Sequence, residues 1–255
     1  MVLTGKVALV TGASRGIGRA IAQRLGRDGA LVAVHYGSTA SGAADTVKTI
    51  TDAGGRAFSV GARLDGSMDE LDRLFAALDK LLIDETGEAR FDILVNNAGV
   101  DRTGHIEEMT PEVFEEVFHT NVRGPFFLTQ RALRRIRDNG RIINLSSGLV
   151  RVARPVKIVY TMTKGAIEKF TMVLAQQLGP RGITVNSVAP GAVATDMIAR
   201  QLLSNPNMVA EITGNTALGR MGETRDIADV VAWLASDDAR WITGNHIDAT
   251  GGQRG

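Results

Sequence analysis

The hydrophobic residues of this 255-residue chain fall into short apolar runs, separated by stretches with helical spacing. A short continuous apolar run is typical of a strand that is covered on both faces of a parallel sheet. Strands are predicted in this way at residues 7–10, 30–34, 56–61, 91–95, 142–145, 183–188 and 246–249. The runs therefore predict a sheet of buried parallel strands.

Between the runs, apolar residues recur every three or four positions, which predicts amphipathic helices. The longest stripe includes Leu71, Leu74, Phe75 and Leu78. Further helices are predicted at residues 44–51, 226–234 and from 158 onward. This alternation predicts an α/β fold, a doubly wound parallel sheet in one domain that covers residues 1–255.

Polar residues and glycines predict where helices begin, end or break. Ser67 and Glu70 have the spacing of a capping box, and the polar residues 84–90 predict a surface loop. A helix predicted to begin at Thr110 and Pro111 continues through residues 121–124, where an asparagine and a glycine interrupt the pattern. Breaks of a local rule often mark function or strain.

Residues 195–216 lose the regular pattern and predict a partly apolar flap. Its apolar residues include Met197, Ile198, Leu202, Leu203 and Met208. These side chains either cover a hydrophobic substrate or pack a helix, and the sequence leaves both readings open.

Composition excludes several classes of function. The formal net charge is +1, from 29 basic and 28 acidic residues, so no global field attracts nucleic acid or an anionic membrane. With no cysteine, disulfides and thiolate chemistry are excluded. The four histidines lack metal-ligand spacing, and no apolar stretch approaches about 18 residues. We expect a cytoplasmic protein without a bound metal.

A glycine-rich turn follows the first predicted strand and precedes a helix. Its glycines are Gly12, Gly16 and Gly18, with Ser14, Arg15 and Ile17 between them. Glycines permit a tight turn and close backbone approach, while a helix N-terminus offers free N–H groups to a pyrophosphate. The alternative is a plain turn between a strand and a helix.

The end of the second strand predicts which dinucleotide would bind. An acidic residue there would bind the ribose 2′-hydroxyl, but none occurs before Asp45. Arg15 and Ser38 instead offer a cation and a hydroxyl to a 2′-phosphate. We therefore expect NADP(H) to be preferred over NAD(H).

Tyr160 and Lys164 lie one turn apart on a predicted helix, with Ser147 upstream. A free phenol has a pKa of about 10 and needs a neighbouring cation to act as an acid or base at neutral pH. Lys164 offers that cation. The alternatives are an interfacial tyrosine with a solvated lysine, or a hydrolytic serine. The latter lacks its usual G-x-S-x-G turn around Ser147.

Taken in order and spacing, these motifs resemble the short-chain dehydrogenase/reductase family over essentially the whole chain. The resemblance rests on TGASRGIG at 11–18, NNAG at 96–99, Asn121, Ser147, Tyr160-x3-Lys164, Pro190-Gly191 and Thr-Gly-Gly at 250–252. Within the family the chain is most similar to 3-oxoacyl-[acyl-carrier-protein] reductases and related bacterial ketoreductases.

The resemblance implies a Rossmann-type sheet of seven parallel strands and an NADPH-dependent reduction of a ketone. Tyr160 would donate the proton and Ser147 would hydrogen-bond the carbonyl. Lys164 would lower the phenol's pKa and hold the nicotinamide ribose, and Asn121 would position water in a proton relay.

The resemblance also implies a set of cofactor contacts. They are Gly12, Ser14, Arg15, Gly16, Ile17, Gly18, Tyr36, Ser38, Leu64, Asn97, Ala98, Gly99, Tyr160, Lys164, Pro190, Gly191, Val193 and Thr195. One departure concerns the adenine pocket, because Arg63 stands where relatives usually carry aspartate. Arginine would either stack on adenine or face solvent.

Several alternatives remain open from the sequence. The enzyme would either reduce a ketone or oxidise an alcohol, sugar or steroid, and a non-catalytic cofactor-binding protein is a third reading. Arg151, Arg154 and Lys157 would form either a basic rim that meets an acidic carrier protein or an anionic substrate, or a solvated loop. By resemblance, a homotetramer would use helices around residues 111–137 and 158–178.

Overall fold

A computed structural model describes residues 1–195, 198 and 207–253 and contains one parallel sheet. The strands are β1 (Val7–Val10), β2 (Leu31–Tyr36), β3 (Arg56–Gly61), β4 (Phe91–Asn96), β5 (Ile136–Leu145), β6 (Thr184–Pro190) and β7 (His246–Ala249). Their order is β3-β2-β1-β4-β5-β6-β7, and each neighbouring pair is parallel. The predicted doubly wound sheet of seven strands is confirmed.

Helices cover both faces of the sheet. They are α1 (Gly16–Arg27), α2 (Ala40–Asp52), α3 (Met68–Thr86), α4 (Pro111–Phe118), α5 (Gly124–Ala132), α6 (Ile158–Leu178), α7 (Met208–Gly214) and α8 (Thr224–Ala235). Successive side chains of β1 point to opposite faces of the sheet, and each face packs against its own hydrophobic core. Ala8 and Val10 pack with α1, α2 and α8, whereas Val7 and Leu9 pack with α3, α5 and α6. Among these described helices, none is long and apolar enough to cross a membrane.

The strand order reverses between β1 and β4. The chain moves from β1 outward through β2 and β3, then returns to the other side of β1 at β4. In an open parallel sheet, this reversal leaves a crevice at the carboxyl ends of the two central strands. The glycine-rich turn after β1 and the NNAG segment after β4 both reach that crevice.

Two details of α3 differ from the sequence prediction. The helix continues to Thr86, so residues 84–86 are helical, and Gly87 ends it with a φ of +83°. At the other end, Ser67 accepts a hydrogen bond from Glu70 N as predicted. The Glu70 carboxylate, however, accepts from the backbone N–H of Arg63, while Ser67 N donates to Asp65. Only half of the predicted capping box forms.

The interruption predicted at residues 121–124 is a widened π-helical turn, His119–Arg123, between α4 and α5. It buries Asn121 beneath the carboxyl end of β4. The predicted flap is described only in part. Met197, Leu202 and Leu203 lie outside the described residues, and the part from Met208 onward contains α7.

Candidate active site

A cavity of about 930 Å³ opens at the carboxyl ends of the central strands. The predicted residues that line it are Gly12, Ser14, Arg15, Gly16, Ile17, Gly18, Ser38, Leu64, Asn97, Ala98, Gly99, Ser147, Tyr160, Lys164, Pro190, Gly191, Val193 and Thr195. Two others, Tyr36 and Asn121, do not line it. The fold thus brings segments from seven places in the chain to one site.

The backbone of the glycine-rich turn packs too closely on its neighbours to leave room for side chains at Gly12 and Gly18. Gly12 has a φ of +63°, and a Cβ there would lie 2.9 Å from Ala98 Cα. A Cβ on Gly18 would lie 2.3 Å from the carbonyl oxygen of Gly12. At the start of α1, no side chain caps the helix and the first turn has no acidic residue. The free N–H groups and the positive end of the helix dipole therefore suit a pyrophosphate.

Polar side chains hold the turn against β4. The Thr11 hydroxyl accepts hydrogen bonds from the backbone N–H groups of Asn97 (2.9 Å) and Ala98 (3.0 Å). The Asn97 amide in turn donates to Thr11 O at 2.8 Å and to Gly12 O at 3.1 Å. These hydrogen bonds identify the atoms through which the NNAG segment holds the backbone of the glycine-rich turn, as predicted.

His35 supports the same turn from below, a role that sequence reasoning missed. Its Nδ1 accepts a hydrogen bond from Gly12 N at 3.2 Å, and Nε2 lies 3.1 Å from Ala62 O. Burial lowers the pKa of His35 to about 4, opposed by the hydrogen bond to Ala62. The ring is therefore neutral at pH 7, as an Nδ1 acceptor must be. A histidine at a strand end carries no sequence signal for this contact.

The adenosine end of the cavity is basic. Arg15, Ser38 and Arg63 are exposed there, and all three line the cavity. Within the described residues, neither arginine side chain has a carboxylate partner. Both guanidinium groups thus remain available to a phosphate. Arg63, which stands where relatives usually carry aspartate, lines the cavity and so adds a positive charge to its adenosine end.

Tyr36, a predicted cofactor contact, does not line the cavity. Its ring packs over β3, where a Cβ on Gly61 would meet the Tyr36 ring at 2.6 Å. The cavity is instead lined by its neighbours His35 and Gly37. The physical reason is the alternation of side chains along a strand, which turns Tyr36 to the other face.

The structure brings Ser147, Tyr160 and Lys164 together. Lys164 Nζ donates to the carbonyl oxygen of Leu145 at 2.8 Å and lies 5.5 Å from the centroid of the Tyr160 ring. The Ser147 hydroxyl is close enough to the phenol to lower its pKa by hydrogen bonding. Ser147 extends from β5 and the other two from α6, so packing of the helix on the strand assembles the group.

The protonation of this group is set mainly by burial. Burial raises the pKa of Tyr160, the nearby Asp101 carboxylate raises it further, and the hydrogen bond from Ser147 opposes both. Burial lowers the pKa of Lys164 to about 8, opposed by Asp101. At neutral pH the phenol therefore carries its proton and most of the lysine is charged. The predicted lowering of the phenol's pKa by Lys164 is not the dominant effect here.

Asn121 holds backbone and does not face the cavity. Its Oδ1 accepts from Val100 N and its Nδ2 donates to Val100 O, both at 2.8 Å. The same Nδ2 lies 3.1 Å from Thr163 Oγ1 on α6. Asn121 thus ties the loop after β4 to the helix that carries Tyr160. The proposed water relay stays a prediction.

The three basic residues ahead of Tyr160 are each paired with a carboxylate. Arg151 binds Asp248 at 3.1 Å, and Arg154 binds Glu211 at 2.7 Å. Lys157 Nζ lies 2.5 Å from Asp101 Oδ2, with both side chains largely buried. These pairs neutralise the basic rim that a docking acidic carrier would need. Lys157 also departs from the solvated-loop reading, since it belongs to the cavity wall.

Comparisons with known proteins agree with this geometry. A family model described as enoyl-(acyl carrier protein) reductase matches residues 12–254. An uncharacterized oxidoreductase of Methylorubrum extorquens is 45% identical over 252 residues, covering 99% of both chains. Versicolorin reductase of Emericella nidulans is 40% identical, covering 98% of this chain and 96% of the relative.

Among solved structures, an angucycline C-6 ketoreductase with bound NADP is similar to this chain with a TM-score of 0.94. The two chains are 51% identical, and the match covers 98% of this chain and 96% of the other. Sequence, fold and the assembled Ser147, Tyr160 and Lys164 lead to one assignment. The chain belongs to the short-chain dehydrogenase/reductase family.

Proposed function

We propose that this protein is an NADPH-dependent ketoreductase that converts a ring ketone on a fused-ring skeleton into a secondary alcohol. The observation that carries the proposal is the assembly of Ser147, Tyr160 and Lys164 in the cavity that also contains the glycine-rich turn. The cradle formed by Gly12 and Gly18, where a Cβ would collide with backbone, fits a dinucleotide.

The reaction follows from the positions of these side chains. When bound, NADPH supplies a hydride to the carbonyl carbon. Negative charge then develops on the carbonyl oxygen, toward which Ser147 directs a hydroxyl donor. Tyr160 donates both a hydrogen bond and the proton that completes the alcohol. Because these bonds strengthen as charge develops, they stabilise the transition state more than the ground state.

Lys164 contributes an ammonium group from the wall of the same cavity. Its hydrogen bond to Leu145 O fixes Nζ between β5 and α6. There it favours the negative charge that remains on the phenol oxygen once the proton has left. Its remaining protons suit the hydroxyls of the nicotinamide ribose.

Preference for NADP(H) is supported by Arg15, Ser38 and Arg63. The end of β2 offers no carboxylate for a ribose 2′-hydroxyl, and the cavity there is lined by two guanidinium groups that have no carboxylate partner among the described residues. A phosphate binds such groups through charge-assisted hydrogen bonds.

Reduction is favoured over oxidation by the preference for NADP(H), because the NADP(H) pool usually drives reduction. Likewise, the intact Ser147, Tyr160 and Lys164 favour an enzyme over a cofactor-binding protein without activity.

The substrate class is inferred from relatives and from the cavity. The similar proteins reduce a versicolorin or an angucycline, as their names state. At the substrate end of the cavity, Leu149, Val156, Ile198, Met208 and Ile212 provide apolar wall. This lining suits a flat ring system. The carrier-bound thioester reading has less support, because the basic residues near the entrance are paired with carboxylates.

A panel of ketones tests the proposal. Purified protein with NADPH should consume the cofactor in the presence of 1-tetralone and larger fused-ring ketones, followed by the loss of NADPH absorbance. Rates with acetoacetyl thioesters should be lower, and NADH should support slower turnover. No turnover of any ring ketone would contradict the proposed function.

We also propose a homotetramer located in the cytoplasm. Support for the assembly comes from Phe114, Phe126, Met162, Met172 and Val173, which are exposed large apolar side chains on α4, α5 and α6. A cytoplasmic location would give the enzyme direct access to reduced cofactor, and cell fractionation tests it.

A further inference from the structure

A buried ion pair lies in the cavity wall, close to Tyr160 in the sequence. Lys157 Nζ lies 2.5 Å from Asp101 Oδ2 and 2.7 Å from the Thr103 hydroxyl. The side chains of Lys157 and Asp101 are only 11% and 12% exposed. Charges withdrawn from water to this degree carry a desolvation cost, so such a pair is weak evidence for a purely stabilising role.

Backbone contacts hold the pair rigidly. Gly104 N donates to Val156 O at 2.9 Å, and Gly104 forms a parallel bridge with Lys157. These contacts join the loop after β4 to the start of α6. Because Lys157 immediately precedes α6 and Tyr160 lies in its first turn, the pair has a fixed position relative to the phenol.

One oxygen of the pair is left without a partner. Asp101 Oδ1 is buried, and no atom of the described residues hydrogen-bonds it. A buried acceptor without a partner is destabilising, and more so when it is charged. Asp101, Thr103 and Lys157 all line the cavity that contains Ser147 and Tyr160. A substrate with its carbonyl at Tyr160 would thus place a further part of its ring system near this acceptor.

We propose that Asp101, Thr103 and Lys157 form a subsite that binds a phenolic hydroxyl of the substrate. The inference rests on the proposed ketoreductase function and adds a recognition element to it. The terminal torsion of an aspartate is soft, so a small rotation turns Oδ1 toward the cavity while Oδ2 stays on Lys157. The phenolic proton is donated to Oδ1. The Thr103 hydroxyl, which accepts from Lys157, donates its own proton to the phenolic oxygen.

The subsite favours a substrate group that donates a hydrogen bond over one that only accepts a hydrogen bond. A phenol is a strong donor, and a hydrogen bond to a carboxylate is roughly twice as strong as one between neutral groups. A methyl ether of the same ring offers no proton and leaves Oδ1 unpaired. Sites built to hydrogen-bond a hydroxyl reject analogues that lack the donor far more strongly than apolar pockets reject a size difference.

Matched pairs of ketones test the subsite. The probes are 1-tetralones that carry either a hydroxyl or a methoxy group at each aromatic position. The position beside the carbonyl is omitted, because a hydroxyl there bonds the ketone internally. With NADPH, kcat/KM should favour the hydroxyl over the methoxy compound by about tenfold or more at one position, as a contribution of at least about 1.4 kcal/mol requires.

Asp101→Asn should remove that preference. Its amide oxygen keeps the bond to Lys157 and turns an NH₂ group, a donor, toward the cavity. The matched control is Asp138→Asn, which changes an exposed carboxylate paired with Arg181, remote from the cavity. The control should retain the preference. If Asp101→Asn does not fold, Asp101→Asn/Lys157→Met removes both charges together and should show the same loss.

The outcomes separate the two proposals. Equal turnover of hydroxyl and methoxy compounds at every position by the wild-type enzyme would overturn the subsite while the ketoreductase function stands. A preference that survives in the Asp101 variants would also overturn it. If the wild-type enzyme reduces neither the tetralones nor the larger fused-ring ketones, the proposed function fails and the subsite with it.

Discussion

Tyr160 shows how one residue acquires chemistry from its surroundings. The phenol lies against Ser147, near the ammonium of Lys164 and within the field of Asp101. Burial and Asp101 oppose its ionisation, so the site holds a proton ready for donation. The geometry therefore predicts separate effects of substitution on chemistry and on cofactor binding.

Replacing Tyr160 by Phe should lower kcat by orders of magnitude, because the proton donor is lost while the apolar ring remains. Cofactor affinity should change little, since the glycine-rich turn is untouched. The chain has only two tyrosines, so Tyr36→Phe is a matched control. The control should retain kcat and the KM for NADPH. Steady-state kinetics with both variants decides the assignment, and a Tyr160 variant as active as wild type contradicts it.

Arg15 offers a second test at the scale of a residue. Arg15→Ser should raise the KM for NADPH by about tenfold or more, since a hydrogen bond to a charged group contributes about 1.5–3 kcal/mol. The KM for NADH should change much less, because NADH has no 2′-phosphate. Arg27→Ser, an exposed arginine at the far end of α1, is the control. Equal effects on the two cofactors would contradict the predicted 2′-phosphate contact.

At the scale of elements, the junctions between strand ends and helices build the site. The turn between β1 and α1 is held by Thr11, Asn97 and His35, which lie on the turn itself and at the ends of β4 and β2. The widened turn between α4 and α5 places Asn121 against Val100 and α6. Each contact joins residues far apart in the chain, so loss of one disturbs the position of another segment.

The buried His35 predicts a pH dependence of stability. Its pKa is lowered from 6.5 to about 4 in the folded state. The unfolded chain thus binds more protons in this window, and stability falls as pH drops below 6.5. Between pH 7 and pH 5 the contribution lost is about 2 kcal/mol. Urea unfolding at both pH values measures the change.

His35→Gln provides the comparison for that measurement. The variant should be less stable than wild type at pH 7, because the contact with Gly12 N is weakened. It should nevertheless lose less stability between pH 7 and pH 5, since the titrating ring is gone. An equal loss in the two proteins would show that other groups account for the pH dependence.

At the scale of the whole molecule, exposed apolar side chains on α4, α5 and α6 predict assembly. Phe126 is 46% exposed and Val173 is 64% exposed. Light scattering should give about four times the chain mass of 27.2 kDa. Val173→Glu places a charge on this surface and should reduce the mass without unfolding the chain. A wild-type protein that scatters as a single chain would contradict the predicted tetramer.

The sequence alone determined most of the architecture and predicted the candidate reacting groups. Buried parallel strands require continuous apolar runs, and phosphate binding requires glycines before a helix, so both leave local patterns. For the same reason Tyr160 and Lys164 were recognisable, since one helical turn joins them. The predictions that were wrong at this level were local ones. Residues 84–86 are helical, although a loop was predicted there, and only half of the capping box predicted at Ser67 forms.

Only the tertiary structure decided which polar side chains face the cavity and what they contact. Neither His35 nor Asp101 has distinguishing neighbours in sequence, yet packing places His35 beneath the turn and pairs Asp101 with Lys157 in the cavity wall. The same packing turned Tyr36 away from the cavity and buried Asn121 against Val100. Such contacts depend on the register and burial of distant segments. A local sequence pattern encodes neither.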